Sequence, residues 1–159
     1  MDSSDARVEV RRAHPADRPW IVDLARQRLG SEHQVHSRRQ FTVDEHEALI
    51  AEVDGRAAGF LAWIVDGADC EVLAIATNHP RAGVGSALVA ALDAEASQNG
   101  CTRLVLTTTD ANVGAQRFYE AVGFTLVERV VGAVDRCREL FKPEIPADMH
   151  DELVYERPL

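Results

Sequence analysis

Two Asp-Gly dipeptides, Asp54-Gly55 and Asp66-Gly67, separate three strand-like runs over residues 48–53, 56–65 and 69–76. A tight two-residue hairpin loop holds both of its residues at positive φ, which Asp and Gly tolerate, so Asp-Gly between apolar runs marks a hairpin. Two in succession predict a three-stranded antiparallel meander. The rest of the chain has to be built around that sheet.

Beyond residue 76 the pattern turns helical. Val84, Leu88, Leu92 and Ala96 recur every four residues, which predicts an amphipathic helix over 84–99 with Asn99-Gly100 as its left-handed stop. Residues 103–108 read as a β-branched strand, 112–122 as a second helix ended by Gly123, and 125–131 as another strand. A strand, helix, strand order of this length implies a right-handed parallel crossover. Before the meander, Val8-Glu9-Val10-Arg11 alternates as a first strand. Pro15-Ala16-Asp17 then opens a helix carrying Trp20, Ile21, Leu24 and Leu29 and stopped by Gly30. Residues 31–43 are polar and unperiodic and read as a loop or short helix. The tail holds a short helix near 135–141, a Pro143/Pro146 loop and a last strand near 152–156, whose exposed edge could pair with a second subunit as a homodimer. The expected fold class is α/β with a mixed sheet, antiparallel early and parallel in the middle, with helices on both faces. With no repeat or linker, residues 1–159 read as a single domain.

Charge and composition exclude several functions. Seventeen basic and 26 acidic side chains give a net charge of −9, a poor footprint for nucleic-acid binding. No apolar run is longer than the six of residues 60–65, far short of the roughly 20 residues that span a bilayer. Met1-Asp2-Ser3-Ser4-Asp5 lacks the basic-then-apolar order of a signal peptide. Cys70, Cys101 and Cys137 are odd in number, with no CxxC, as free thiols of a reducing compartment would be. The expected location is cytoplasmic. Eight acids and one base fall between Phe41 and His79.

The join between the third meander strand and the long helix reads Asn78-His79-Pro80-Arg81-Ala82-Gly83-Val84-Gly85-Ser86. A strand end, a glycine turn and a helix start make an anion site, because the first-turn N–H groups lack helical partners and carry the positive end of the dipole. The same residues equally suit a plain helix entry packed closely on the sheet. The join has neither the Gly-Lys-Ser/Thr of a Walker loop nor a full GxGxxG turn.

Residues 71–124 resemble the GNAT N-acetyltransferase superfamily. Its Arg/Gln-x-x-Gly-x-Gly/Ala loop corresponds to Pro80-Arg81-Ala82-Gly83-Val84-Gly85, departing at Pro80, where Arg or Gln is usual. Its Asn-x-x-Ala-x-x-Phe/Leu-Tyr-x-x-x-Gly-Phe signature is complete as Asn112, Ala115, Phe118, Tyr119, Gly123 and Phe124. Thr108-Thr109-Asp110-Ala111-Asn112 and Leu140-Phe141-Lys142-Pro143-Glu144-Ile145-Pro146 further resemble a bacterial branch with Thr-Thr-Asn-Asp-Asn and Lys-Pro-x-Ile-Pro segments.

The resemblance implies acetyl-CoA as co-substrate and no metal. The pyrophosphate would lie on the amides of Gly83, Val84, Gly85 and Ser86 with Arg81 at the rim, and the pantetheine arm along Leu73, Ala74 and Ile75, where two parallel strands splay apart. Tyr119 would stabilise or protonate the departing thiolate, and Asn112 would order the same region; by position alone Tyr119 also reads as a packing residue. The acceptor amine has to lose a proton before it can attack, and Glu71 is the expected base, with Glu47, Asp69 and Asp110 as rivals. Cys70 reads as a buried structural thiol, and His33, His36 and His46 make a poor metal set. Arg38-Arg39 reads as solvated surface, with an acidic substrate or the adenosine 3′-phosphate as its other reading. The partner expected besides acetyl-CoA is a small-molecule or peptide amine, and the acidic 41–79 region points to a cationic one. A non-catalytic acyl-CoA-binding module of the same fold is the alternative.

Overall fold

The structure is a computed structural model that describes residues 7–36, 39–78, 83–140 and 145–159. The meander is present as β4 (Glu47–Val53), β5 (Arg56–Asp66) and β6 (Asp69–Thr77), paired antiparallel in order. Its two turns differ. Asp54 and Gly55 both have positive φ, of 51° and 83°, as the dipeptide demands. In the second turn Asp66 pairs with Asp69, so the loop is Gly67-Ala68 and only Gly67 is left-handed, at 60°. Glycine at the first loop position is the other hairpin solution.

β1 (Val8–Arg12) pairs with β4, and α1 (Arg18–Leu29) follows a short 3-10 turn and ends on Gly30 at φ 83°. After β6 the chain runs through α2 (Val84–Gln98) and returns as β7 (Arg103–Thr109), parallel to β6. Then come α3 (Val113–Ala121), β8 (Thr125–Val130), α4 (Ala133–Leu140) and β9 (Glu152–Pro158). The seven-stranded order is β1-β4-β5-β6-β7-β9-β8.

Two expectations are corrected. The polar segment 31–43 is a two-stranded hairpin, β2 (His33–His36) on β3 (Arg39–Thr42), rather than a loop or short helix. It lies outside the main sheet, so no alternation of core residues betrays it. The last strand is not an exposed edge, because β9 lies between β7 and β8 and sends Leu153 and Tyr155 into the core. β7 and β8, both antiparallel to β9, run parallel to each other as the strand–helix–strand order implies, with β9 filling the gap between them.

Each face of the sheet carries a core. On one side Val84, Leu88, Leu92 and Ala96 of α2 pack on Leu61, Val72, Leu104 and Leu106. On the other, Ile21, Leu24 and Ala25 of α1 pack on Ile50, Phe60 and Ala62. Each such Leu or Ile contributes about 1.5–3 kcal/mol.

A bulge in β6 positions everything that follows. Ala62 pairs with Ala74 and Trp63 with Val72, leaving Leu73 as an extra residue. Val72 therefore joins the α2 core while Leu73 and Ala74 both turn to the α1 core. Pairing of β6 with β7 stops at Val72 and Leu106. Beyond that point the two strands part.

Candidate active site

The parting of β6 and β7 opens a cavity of about 640 Å³. Leu73, Ala74 and Ile75 form one wall and Thr107, Thr108 and Thr109 the other. Gly83, Gly85 and Ser86 border one end, and Asn112 and Tyr119 come in from α3. Eight of the residues expected to hold a nucleotide thioester thus border one space. Val84, expected there through its amide, turns its side chain wholly into the core. Pro80 and Arg81, with His79 and Arg38, lie outside the described residues.

Gly83 caps α2 in the left-handed conformation at φ 75°, and the first turn of α2, whose N–H groups lack helical partners, borders the cavity at Gly85 and Ser86. Gly85 has a different reason. A Cβ there would lie 2.9 Å from the Phe118 ring, so its bare backbone is what lets α2 and α3 approach. A sequence pattern cannot tell these two glycines apart.

Asn112 caps α3, its side-chain oxygen accepting from the Ala115 N–H at 3.4 Å. Tyr119 is nearly fully buried, with its ring near those of Phe118, Phe124 and Tyr155 at centroid distances of 5.5, 5.8 and 6.2 Å. Burial raises its pKa above the ordinary 10, so the phenol stays protonated at neutral pH. Tyr119 is a packing residue that also borders the cavity.

Glu71 lies on β6 one residue before the parting but is not among the described residues lining the cavity. Its carboxylate accepts from Arg39 Nη2 at 2.8 and 3.1 Å and lies 3.7 Å from His36 Nδ1. His36 does line the cavity, and its Nε2–H donates to the carbonyl of Leu73 at 3.2 Å. Its Nδ1 is buried without a hydrogen-bond partner. Burial lowers the His36 pKa, against the opposing pull of the Leu73 carbonyl, Glu71 and Glu152. Sequence reasoning weighed His36 only as a metal ligand, because nothing in the segment showed a hairpin.

The rival bases are engaged elsewhere. Asp69 binds Arg103 at 2.6 Å, and Asp110 accepts the backbone N–H groups of His150 and Asp151 at 3.0 and 3.1 Å, which lowers the pKa of each. Glu47 opens β4 exposed, away from the cavity. Cys70 is fully buried on the opposite face, its thiol pushed up to about 12. Among the described residues no three His, Cys, Asp or Glu side chains are grouped to hold a metal. No described helix is long and apolar enough to cross a membrane.

Residues 10–124 match the family model described as Acetyltransferase (GNAT) family. The chain belongs to the GNAT acetyltransferase family. A relative, the uncharacterized protein YdhI of Bacillus subtilis (strain 168), is 31% identical over 127 residues, 79% of each chain. Solved GNAT folds similar to this one include the ribosomal-protein-S18-alanine N-acetyltransferase of Escherichia coli (TM-score 0.68, 19% identity, 96% of this chain and 94% of that one). Another is a Bacillus anthracis str. Ames structure in complex with acetyl coenzyme A (TM-score 0.73, 14% identity, 96% and 100%). For this GNAT chain the family and the fold together support acetyl transfer with acetyl-CoA as co-substrate.

Proposed function

We propose that the protein moves the acetyl group of acetyl-CoA to the primary amine of a small acceptor by direct attack. The observation that carries the reading is the parting of β6 and β7 beyond Val72 and Leu106, with the start of α2 at one end of the opening and Tyr119 beside it. Acetyl-CoA supplies the acetyl group as a thioester. The backbone of residues 83–86 would hold its pyrophosphate, with Arg81 at the rim, and the unpaired margin of residues 73–75 its pantetheine arm.

The reacting nitrogen forms a bond to the acetyl carbon, the carbon–sulfur bond breaks, and the nitrogen gives up a proton. Glu71 and His36 act together as the sink for that proton. With Nε2–H committed to Leu73, a proton reaching Nδ1 finds the Glu71 carboxylate opposite it, and Arg39 keeps that carboxylate in place. Tyr119 donates a hydrogen bond to the departing sulfur. Its raised pKa suits donation better than ionisation, since a free thiol titrates near ~8.5 and the phenol above 10.

Incubation with acetyl-CoA and a panel of primary amines, read by mass spectrometry, tests the proposal. N-acetylated product with release of free CoA is the expected result. CoA binding without any transfer would instead support the non-catalytic module.

A further inference from the structure

A second cavity, of about 410 Å³, is walled by β2, β3 and α4. Leu29, Gln34, Val35, Thr109 and Met149 line it and the first cavity alike, so the two meet at the tip of β7. Its size suits a small molecule.

Formal charge on these walls is sparse. Among the described residues Glu152 is the one carboxylate on either cavity, and it already interacts within the chain. Arg28, on the last turn of α1, is the one described Lys or Arg on either, and it borders the first. It has no hydrogen bond or ion pair with any described residue. Arg26, on the same turn, contrasts with it, since its Nε and Nη2 both donate to Glu32 at 2.9 Å. In a chain of net charge −9, Arg28 is thus a guanidinium at a cavity wall with no carboxylate of its own. Its fork of donors matches a carboxylate through two parallel hydrogen bonds.

An independent observation comes from the shared wall. The Thr109 hydroxyl oxygen is buried without a hydrogen-bond partner, and such an oxygen gains by accepting an N–H from a bound molecule. The acidic run 41–79 supplies no site for a second positive charge. Its Asp44, Glu45 and Glu47 line neither cavity, and Glu52, Asp54 and Asp69 engage Arg11, the Arg7 N–H and Arg103.

We infer that the acceptor is an amine that also carries a carboxylate, as an amino acid does. Arg28 takes the carboxylate, the Thr109 hydroxyl accepts an N–H of the amine, and the rest of the molecule fills the second cavity. The inference rests on the reading of the first cavity as the acetyl-CoA cleft. An N–H held by Thr109 leaves the lone pair of the deprotonated amine free to attack the thioester.

Calorimetry on the full chain saturated with CoA tests this with two pairs of probes that differ only in the carboxylate. They are L-phenylalanine with 2-phenylethylamine, and L-leucine with 3-methylbutylamine. In at least one pair the amino acid should bind about tenfold more tightly, the low end of the worth of a hydrogen bond to a charged group. Arg28→Gln should erase that preference and leave the affinity of the plain amine as it was, while Arg28→Lys keeps part of it. Thr109→Val should weaken both members of the pair by the same several-fold factor. CoA affinity should be unchanged in Arg28→Gln, which also reports that the variant folds. Equal binding within both pairs, no binding of any probe, or a preference that survives Arg28→Gln overturns the inference while leaving the cleft reading intact. A loss of CoA affinity in Arg28→Gln overturns it too, by assigning Arg28 to a phosphate of the coenzyme. A wild-type chain that binds no CoA overturns the cleft reading itself.

Discussion

His36 on the hairpin donates its Nε2–H to the carbonyl of Leu73, the extra residue of the β6 bulge, at 3.2 Å. The bond spans 37 residues of sequence and joins β2, which lines the cavity, to β6, which forms one of its walls. A peptide unit is planar, so fixing the Leu73 oxygen fixes the direction of the next N–H as well. His36 is thus a positioning residue for the backbone where β6 leaves β7.

Replacing His36 with leucine leaves the Leu73 carbonyl without its donor, and about 1–3 kcal/mol of stability should be lost. His36→Gln can place an amide N–H on the same oxygen and should recover part of it. Urea unfolding of the two variants against wild type measures the difference.

The same ring gives a pH dependence whose sign can be worked out. Its folded pKa lies below the ordinary 6.5, so in the window between the two values the unfolded chain binds more protons. Stability contributed by neutral His36 is fully present above about 6.5 and declines as pH falls from there toward the folded value. Glu71 and Glu152 face the ring and Arg39 lies beyond Glu71, so these charges modulate the window. In His36→Gln, Tm measured from pH 7.5 to 5 should lose less than wild type does. An acid limb in the rate that vanishes in the same variant would tie this titration to proton acceptance.

Gly85→Ala places a methyl group 2.9 Å from the Phe118 ring. Over-packing of this kind typically costs about 1–3 kcal/mol. Combining it with Phe118→Leu, which frees space on α3, should return much of that stability. A double-mutant cycle by thermal or urea unfolding measures the coupling.

Most of the fold could be read from residue pattern because the apolar side chains that make it face one side of each element. The meander, the helix through Leu88 and Leu92, and the Asn112–Phe124 signature all have this property. The hairpin did not, since His33, Gln34, Arg39 and Gln40 are polar and the two strands pair outside the main sheet. The place of β9 was equally hidden, because alternation in Leu153 and Tyr155 marks a strand but not its neighbours. In the site, the glycines and Tyr119 were legible through the motif. His36 was not, since its role comes from elements brought together over a long sequence separation. Glu71 was legible as an acid on β6, whereas its bond to Arg39 and the nearby His36 ring needed the structure.

Tyr119→Phe removes one hydroxyl from the cleft and leaves the aromatic packing with Phe124 and Tyr155 in place. Folding and CoA affinity should be nearly unchanged. The rate of acetyl transfer should fall about tenfold to a hundredfold, the worth of one hydrogen bond to a charged sulfur. Stopped assays of CoA thiol release, alongside calorimetry, separate the two effects.

Hydrogen exchange with and without acetyl-CoA bears most directly on the claim that the gap between β6 and β7 receives the thioester. Amides in residues 73–77 and 83–87 should exchange more slowly once acetyl-CoA is added, while β1 and β8 remain as they were. Unchanged exchange in both segments at saturating acetyl-CoA, or protection confined to another part of the sheet, would contradict it.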